Sequence, residues 1–325
     1  MIKIDLITGF LGAGKTTFLK KYADYLIRQG QHICILENDF GAVNVDMMLM
    51  QDMLCDSCDL EMVAGGCDKD CHIRRFRTKL ISMGMRGFDR VVVEPSGVFD
   101  VDEFFDVLRE EPLDQWYEIG SVITVVDAGL EEELSDAGEY LLAAQAANAG
   151  CILISKCQTV SDERLQASIT HLKRALQRAG CSRDVSSDIF CKDWEQLTDA
   201  DMERIVNSGR RNASFEKYWF DQEKEFQTLY FMNRPFNGET IAVKAREALE
   251  DSSCGAVERI KGFVRDKEGW LQLNATRENF SLKPIGAGQE IIIVIGEDLR
   301  KERLEHIFTV EPVYTKAGQE TDRSE

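Results

Sequence analysis

At 325 residues the chain is long enough for two domains, each able to bury a core of its own. With 57 Asp and Glu against 39 Lys and Arg, its net charge of -18 repels nucleic acid and anionic lipid, so neither a nucleic acid nor a membrane is an expected partner. No apolar run approaches the ~18 residues of a membrane span, and 44% hydrophobic with 30% charged residues is a globular rather than fibrous or disordered composition.

The first residues alternate as a strand (Ile2, Ile4, Leu6) with no basic or hydrophobic targeting segment ahead of them, so the expected location is the cytoplasm. In a reducing compartment the ten cysteines do not read as a disulfide framework. Cys34 and Cys151 sit in apolar strand-like runs and read as small core residues.

In chain order, IKIDLI, HICILE, RVVVEP, SVITVVD and CILISK are short β-rich runs separated by helical patterns. Several are apolar almost throughout, as strands buried on both faces are, so the fold class is α/β: a mostly parallel sheet covered by helices. Residues 15–29 form a helix that ends at Gly30. Residues 161–179 form another, with Ser161 as N-cap, Asp162 and Glu163 in the first turn, and Gly180 beyond the end.

Around 206–222 the pattern turns polar and irregular, which places a nucleotide-binding domain at 1–207. A smaller α+β domain follows at 223–315, and a frayed tail at 316–325. The second domain reads as a strand at 226–232, a helix at 238–250, strands VERIKGFVRD, WLQLNAT, NFSLKPI and EIIIVIG, and a helix at 299–308. DKEG at 266–269 is a hairpin signal.

GFLGAGKT at 9–16 satisfies the phosphate-loop pattern G-x-x-x-x-G-K-[ST] between a strand and a helix. Gly9, Gly12, Ala13 and Gly14 supply backbone N–H groups to wrap phosphates, with Thr17 in the first turn behind them. Lys15 reaches the β- and γ-oxygens and Thr16 offers a hydroxyl to Mg2+. VVVEPSG ends a buried strand on Glu94, a second Mg2+ acid, and Gly97 N–H is placed to sense a γ-phosphate.

These motifs together carry a resemblance. ITGFLGAGKTT, ENDFG, the Gly-Gly-Cys segment, VVVEPSG, VITVVDA, LISK and RIKGFV occur in the order of the CobW-like P-loop GTPases, relatives of the GTPases that help insert nickel into hydrogenase and urease. The resemblance covers most of 1–158 and about 257–309. It implies a GTP-hydrolysing metal chaperone or metal-cofactor assembly factor. Its cofactors would be Mg2+ and a thiophilic metal such as Zn2+, and its client a metalloprotein docking through the C-terminal domain. A homodimer is compatible with this reading.

The sequence departs from the family in two places. Where the family has Asn-Lys-x-Asp for the guanine base, this chain has Ser155, Lys156, Cys157 and Gln158. A Gln amide accepts one guanine proton but sets a donor against a donor for the second, so guanine preference weakens by about 5- to 150-fold, and ATP is left open as the nucleotide.

The family's Gly-Cys-x-Cys-Cys is here Gly66, Cys67, Asp68, Lys69, Asp70, Cys71. Cys55 and Cys58 form a C-x-x-C pair upstream and His72 follows Cys71, so one loop from Cys55 to His72 offers a tetrathiolate or mixed Cys/His site. A redox dithiol is the competing reading of the C-x-x-C. Glu37 joins the transition-metal set, and Asp39 joins Thr16 and Glu94 around Mg2+. Met47, Met48, Met50 and Met53 read as a packing face, and His32, His171 and His306 as surface or satisfied histidines.

The functional expectation is a nucleotide-gated metal handler. Two competitors stand beside it: an ATP-using activase of a cobalt- or corrinoid-dependent enzyme, and a metal-responsive regulatory switch with vestigial turnover.

Overall fold

The computed structural model describes residues 1–39, 50–65, 69–216, 226–277 and 279–309. By its internal contacts the chain divides into two compact units, Met1–Thr228 and Leu229–Glu325.

The first unit is built on seven strands: β1 (Ile2–Thr8), β2 (Ile33–Asp39), β3 (Cys58–Ala64), β4 (Arg90–Pro95), β5 (Tyr117–Asp127), β6 (Cys151–Ser155) and β7 (Ile189–Cys191). They form one sheet in the order β3-β2-β4-β1-β5-β6-β7, parallel at every junction. Helices α1 (Lys15–Arg28), α2 (Lys69–Gly84), α3 (Val101–Leu108), α4 (Leu113–Trp116), α5 (Asp136–Ala147), α6 (Asp162–Arg178) and α7 (Asp199–Val206) cover it.

Two apolar layers result, one on each face. Phe18, Leu19, Tyr22 and Leu26 of α1 pack with Met202 and Ile205 of α7 on one side. Phe76, Leu80 and Met83 of α2 pack with Phe104 of α3, Leu142 of α5 and Leu172 of α6 on the other. The central strand β4 is buried at every residue, which is why its sequence shows no alternation. The parallel α/β reading is therefore borne out. So are the caps of α6, where the Ser161 hydroxyl accepts the Arg164 N–H and Gly180 follows in a left-handed turn at φ 71°.

The sequence reading of one loop from Cys55 to His72 needs correcting. That stretch holds a tight turn, in which Cys55 and Cys58 exchange backbone hydrogen bonds, then strand β3, then the start of α2. β3 escapes a pattern search because it is an edge strand and carries charge on its α2 side. Asp59 and Glu61 there pair with Arg86, and Glu61 also with Lys79 at 2.9 Å. Burial opposes ionisation of Glu61, but the hydrogen bonds and charges of Lys79 and Arg86 outweigh it and hold the carboxyl below its ordinary value. The three-residue strand β7 also gave no sequence signal.

One buried polar cluster fixes the middle of the sheet. Asp5 on β1 accepts from Tyr22 Oη at 2.8 Å, Arg90 Nη1 at 2.6 Å and Ser121 N at 2.7 Å, so its charge is paired and hydrogen-bonded at zero exposure. Beyond β7, residues 208–216 return along this unit: Val122 N–H donates to Gly209 O and Glu216 N–H to Ala179 O.

The second unit is a five-stranded sheet, β8 (Gln227–Met232), β9 (Ala256–Asp266), β10 (Gly269–Ala275), β11 (Phe280–Ile285) and β12 (Ile291–Glu297), in the order β11-β10-β9-β12-β8. Its β9–β10, β10–β11 and β9–β12 junctions are antiparallel. The turn between Asp266 and Gly269 is the expected two-residue hairpin. Helices α8 (Gly238–Glu250) and α9 (Lys301–Ile307) supply Ile241, Ala245, Leu304 and Ile307 to a core with Ile260, Val264, Ile292 and Val294. No helix among the described residues is long and apolar enough to cross a membrane.

Candidate nucleotide and metal site

In a parallel sheet the carboxyl ends of the strands share one edge, and loops leaving a central strand there line a crevice. β1 lies between β4 and β5, so the loop it feeds to α1 occupies that position. Gly9 sits at φ 142°, and a Cβ there would stand 2.2 Å from Val125 O on β5, so only glycine lets the loop leave the strand at this angle. Gly14, left-handed at φ 101°, is the N-cap of α1, with Gly12 and buried Ala13 before it and Thr17 exposed in the first turn.

Lys15 is buried and folded back over its own loop, donating to Gly9 O at 2.9 Å and Phe10 O at 3.4 Å. Those carbonyls hold the ammonium above the cradle of loop amides. Thr16 donates its hydroxyl to Glu94 Oε1 at 2.8 Å, joining the helix to the end of β4. Glu37 on β2 is in register with Glu94 and equally buried, and in-register residues of parallel neighbours point to the same face. One hydroxyl and two adjacent carboxylates are hard oxygen donors, the set that suits Mg2+. Asp39 ends β2 two residues on, and its side chain lies outside the described residues.

Just past Glu94, Gly97 packs so tightly on the loop that a Cβ would lie 2.8 Å from Leu11 N, and its carbonyl accepts from Gln145 Nε2 of α5 at 3.0 Å. The segment expected to sense phosphate thus touches the phosphate loop directly.

On the base side, β6 ends at buried Ser155, whose hydroxyl donates to Val126 O at 3.3 Å. Lys156 follows at φ 55°, a left-handed conformation for a residue with a side chain, and its Nζ reaches Gly12 O at 3.2 Å and the Asp127 carboxylate. It ties the base loop to the phosphate loop. Gln158 is exposed within the short turn Cys157–Thr159. Two residues here escaped the sequence reading. Asp127 ends the VITVVD strand in the same way that Glu94 ends its own, a signal that was available. Trp194 lies against Gly14 and packs its ring 5.4 Å from that of Phe18, and nothing local in the sequence marks it.

The expected four-thiol metal site is not assembled. Cys58 begins β3 beside Ile33 at the start of β2, with Cys55 bridged to it in the preceding turn, whereas Ala64 at the far end pairs with Asp39. Six residue steps of ~3.3 Å separate the ends, about 20 Å, so these thiols and Cys71 cannot share an ion. Cys58 is a core side chain, and burial together with the neighbouring Cys55 pushes its thiol up to about 12.

Cys71 is half-buried in the first turn of α2 at the nucleotide edge, and Gly66 and Cys67 lie outside the described residues. His72 departs from its expected role. It is buried, with Nδ1 3.1 Å from Gly65 O and Nε2 2.7 Å from Asn38 Oδ1, so both ring nitrogens are turned to the protein and neither faces outward as a ligand. It braces the end of β2 against the helix that carries Cys71. Of the other histidines, His171 is satisfied by Glu131 O and Glu139, and His32 packs on Phe88. Met50 is buried in the α1 core layer, while 47 and 48 lie outside the described residues.

A lysine and threonine at a glycine-cradled helix start, facing a strand-ending glutamate, define a P-loop nucleoside triphosphatase. Within that class, residues 3–182 match the family model described as "CobW/HypB/UreG, nucleotide-binding domain". The chain belongs to this family.

Among its relatives, "Zinc chaperone YeiR" of Escherichia coli K12 is 24% identical over 300 residues, spanning 87% of this chain and 89% of that protein. "Zinc chaperone YjiA" of the same organism is 30% identical over 183 residues, 53% of this chain and 54% of that one. A solved structure of Zn(II)-bound YjiA GTPase from E. coli aligns over 94% of this chain and 98% of its own, at 21% identity and a TM-score of 0.36.

Proposed function

We propose that this chain is a GTP-hydrolysing metal chaperone of the cytoplasm, whose nucleotide state sets its affinity for Zn2+. The observation that carries the reading is the joint at the end of β2. Glu37 stands beside Glu94, the partner of Thr16, and the next residue, Asn38, is hydrogen-bonded to His72 next to Cys71. A change at the nucleotide's metal acids has two residues to travel before it reaches a thiol. That YeiR and YjiA are named zinc chaperones supports zinc as the cargo.

In this reading Lys15 leaves Gly9 O for the β- and γ-oxygens of the nucleotide, and the loop amides bind the remaining phosphate charge. Thr16 and Glu94, with Asp39 beside them, would hold Mg2+, which would supply positive charge against the phosphates. Gly97 N–H reads the γ-phosphate from its seat on Leu11, and loss of that phosphate frees β4 and its neighbour β2 to shift. Cys67 and Cys71 take the zinc, with Glu37 as an oxygen ligand. Ser155, Lys156 and Gln158 receive the base. A metalloprotein client docks on 223–315, and 1–207 does the nucleotide chemistry.

The exposed amide of Gln158 favours one competitor, an ATP-using activase, because Gln pairs with adenine in a bidentate manner. Relative affinity for GTP and ATP, measured before and after Gln158→Asp, separates the two.

The central test is a competitive zinc titration of reduced, anaerobic protein, with and without Mg2+ and a non-hydrolysable GTP analogue. Tight binding that shifts with nucleotide and is lost in Cys67→Ser and Cys71→Ser is expected. Weak binding that ignores both changes overturns the proposal.

A further inference from the structure

Cys157 opens the turn that carries Gln158, and Cys191 ends β7 on the neighbouring strand. The β6–β7 register sets Cys191 opposite Ile154, three residues before Cys157, and the left-handed turn at Lys156 brings the chain back toward it. The two thiols are in hydrogen-bonding contact. Cys191 is exposed and Cys157 half-buried, so a small reagent in solvent reaches the pair. Among the described residues no third Cys, His, Asp or Glu joins them, which leaves the pair short of a zinc ligand set. Two adjacent, accessible thiols without a third ligand support disulfide chemistry.

We propose that Cys157 and Cys191 form a reversible disulfide, made by exchange with a low-molecular-weight disulfide of the glutathione class, and that the bond weakens nucleotide binding. The second half rests on the reading of 155–158 as the base loop.

One thiolate of the pair attacks a sulfur of the small disulfide and expels the first small thiolate. The other protein thiolate then attacks the protein sulfur of the mixed disulfide and expels the second. Two S–H protons pass to the two expelled thiolates, the protein is oxidised by two electrons, and the small disulfide is reduced to two thiols. Desolvation and the hydrogen bond that the Cys191 S–H donates to Cys157 push Cys191 up to about 11, so the exchange accelerates as pH rises from neutrality.

The geometry supplies the consequence. Sulfurs at hydrogen-bonding separation must close to about 2 Å, and the residues carried along are those flanking Cys157. Lys156 is held between Gly12 O and Asp127 on one side, and Gln158 stands on the other. Three residues beyond Cys191, Trp194 rests on Gly14, so the second anchor also leads to the phosphate loop. Displacing the one guanine contact that the Gln158 amide can make is expected to lower nucleotide affinity by about fivefold.

The experiment incubates the reduced full chain across glutathione ratios, alkylates the remaining thiols, maps bonds by peptide mass, and titrates a fluorescent guanine nucleotide into the same samples. A Cys157–Cys191 bond, an affinity loss of that size reversed by dithiothreitol, and insensitivity of Cys191→Ser to oxidation are the expected results. If both thiols remain alkylatable at the most oxidising ratio, or are bonded elsewhere, the disulfide is refuted. If the bond forms without an affinity change, Gln158→Asp decides which step failed. An altered GTP-to-ATP preference in that variant keeps the base loop and refutes the coupling, whereas no alteration refutes the base-loop reading itself.

Discussion

Replacing Cys55 by Ser and Cys58 by Ala, singly and together, is expected to leave nucleotide-responsive zinc binding within about twofold of the parent, while Cys71→Ser weakens it at least about tenfold. The argument is metric. A zinc ion holds each sulfur at ~2.3 Å, so two of its thiolates lie ~4 Å apart. Cys58 and the far end of β3 are separated by six residue steps of ~3.3 Å, about 20 Å, and Cys71 belongs with the far end because His72 bonds Gly65 and Asn38 there. No side-chain rotation spans that gap. The core position of Cys58, whose thiol is pushed up to about 12, adds a second obstacle, since a zinc ligand must be ionised. The lower bound for Cys71 follows from metal sites in which even residues behind the ligands cost 10- to 100-fold. Competition against a chromophoric zinc chelator, with and without nucleotide, reads all four variants. A Cys55→Ser protein as weak as Cys71→Ser would refute the separation and restore the four-thiol site.

Three further outcomes follow from the same geometry. Gly9→Ala puts a methyl 2.2 Å from Val125 O, so nucleotide binding should be lost and the melting temperature lowered; calorimetry with and without GTP checks both. Asp5→Asn leaves Arg90, which is 3% exposed, without its counter-charge, and should cost about 3–5 kcal/mol in urea unfolding. Glu61, held below its ordinary 4.5 by Lys79 and Arg86, stabilises the fold fully above its unfolded pKa, and that contribution is lost as pH falls through the lower folded value. Glu61→Gln should therefore flatten the acid limb of stability against pH below about 4.5 and leave its neutral slope unchanged.

What the sequence made legible is what local physics controls. Strands buried on both faces, such as RVVVEP, announce themselves by unbroken apolarity, and the phosphate loop by glycines that only a left-handed or crowded backbone demands. β3 was illegible because its charges answer to Lys79 on a helix some twenty residues later and to Arg86 in the turn that follows that helix. Spacing along the chain made Cys55, Cys58, Cys71 and His72 look like one constellation, and a strand was inserted between them. Pairings such as Asn38 with His72 or Cys157 with Cys191 join residues 34 apart in sequence, and only the sheet's order brings them together.

That order is also what the proposed control of a metal by a nucleotide rests on. The sequence β2-β4-β1 sets Glu37 beside Glu94 and Glu94 beside the phosphate loop, so the two buried acids occupy consecutive strands at one edge. The thiol-bearing helix is hydrogen-bonded to the outermost of the three through buried His72. His72→Phe fills the ring's volume but cuts that fastening. If coupling runs through it, the variant retains zinc affinity in the absence of nucleotide and loses the shift that GTP analogue produces, and a shift of parental size in His72→Phe would send the search to the segment around Cys67 instead.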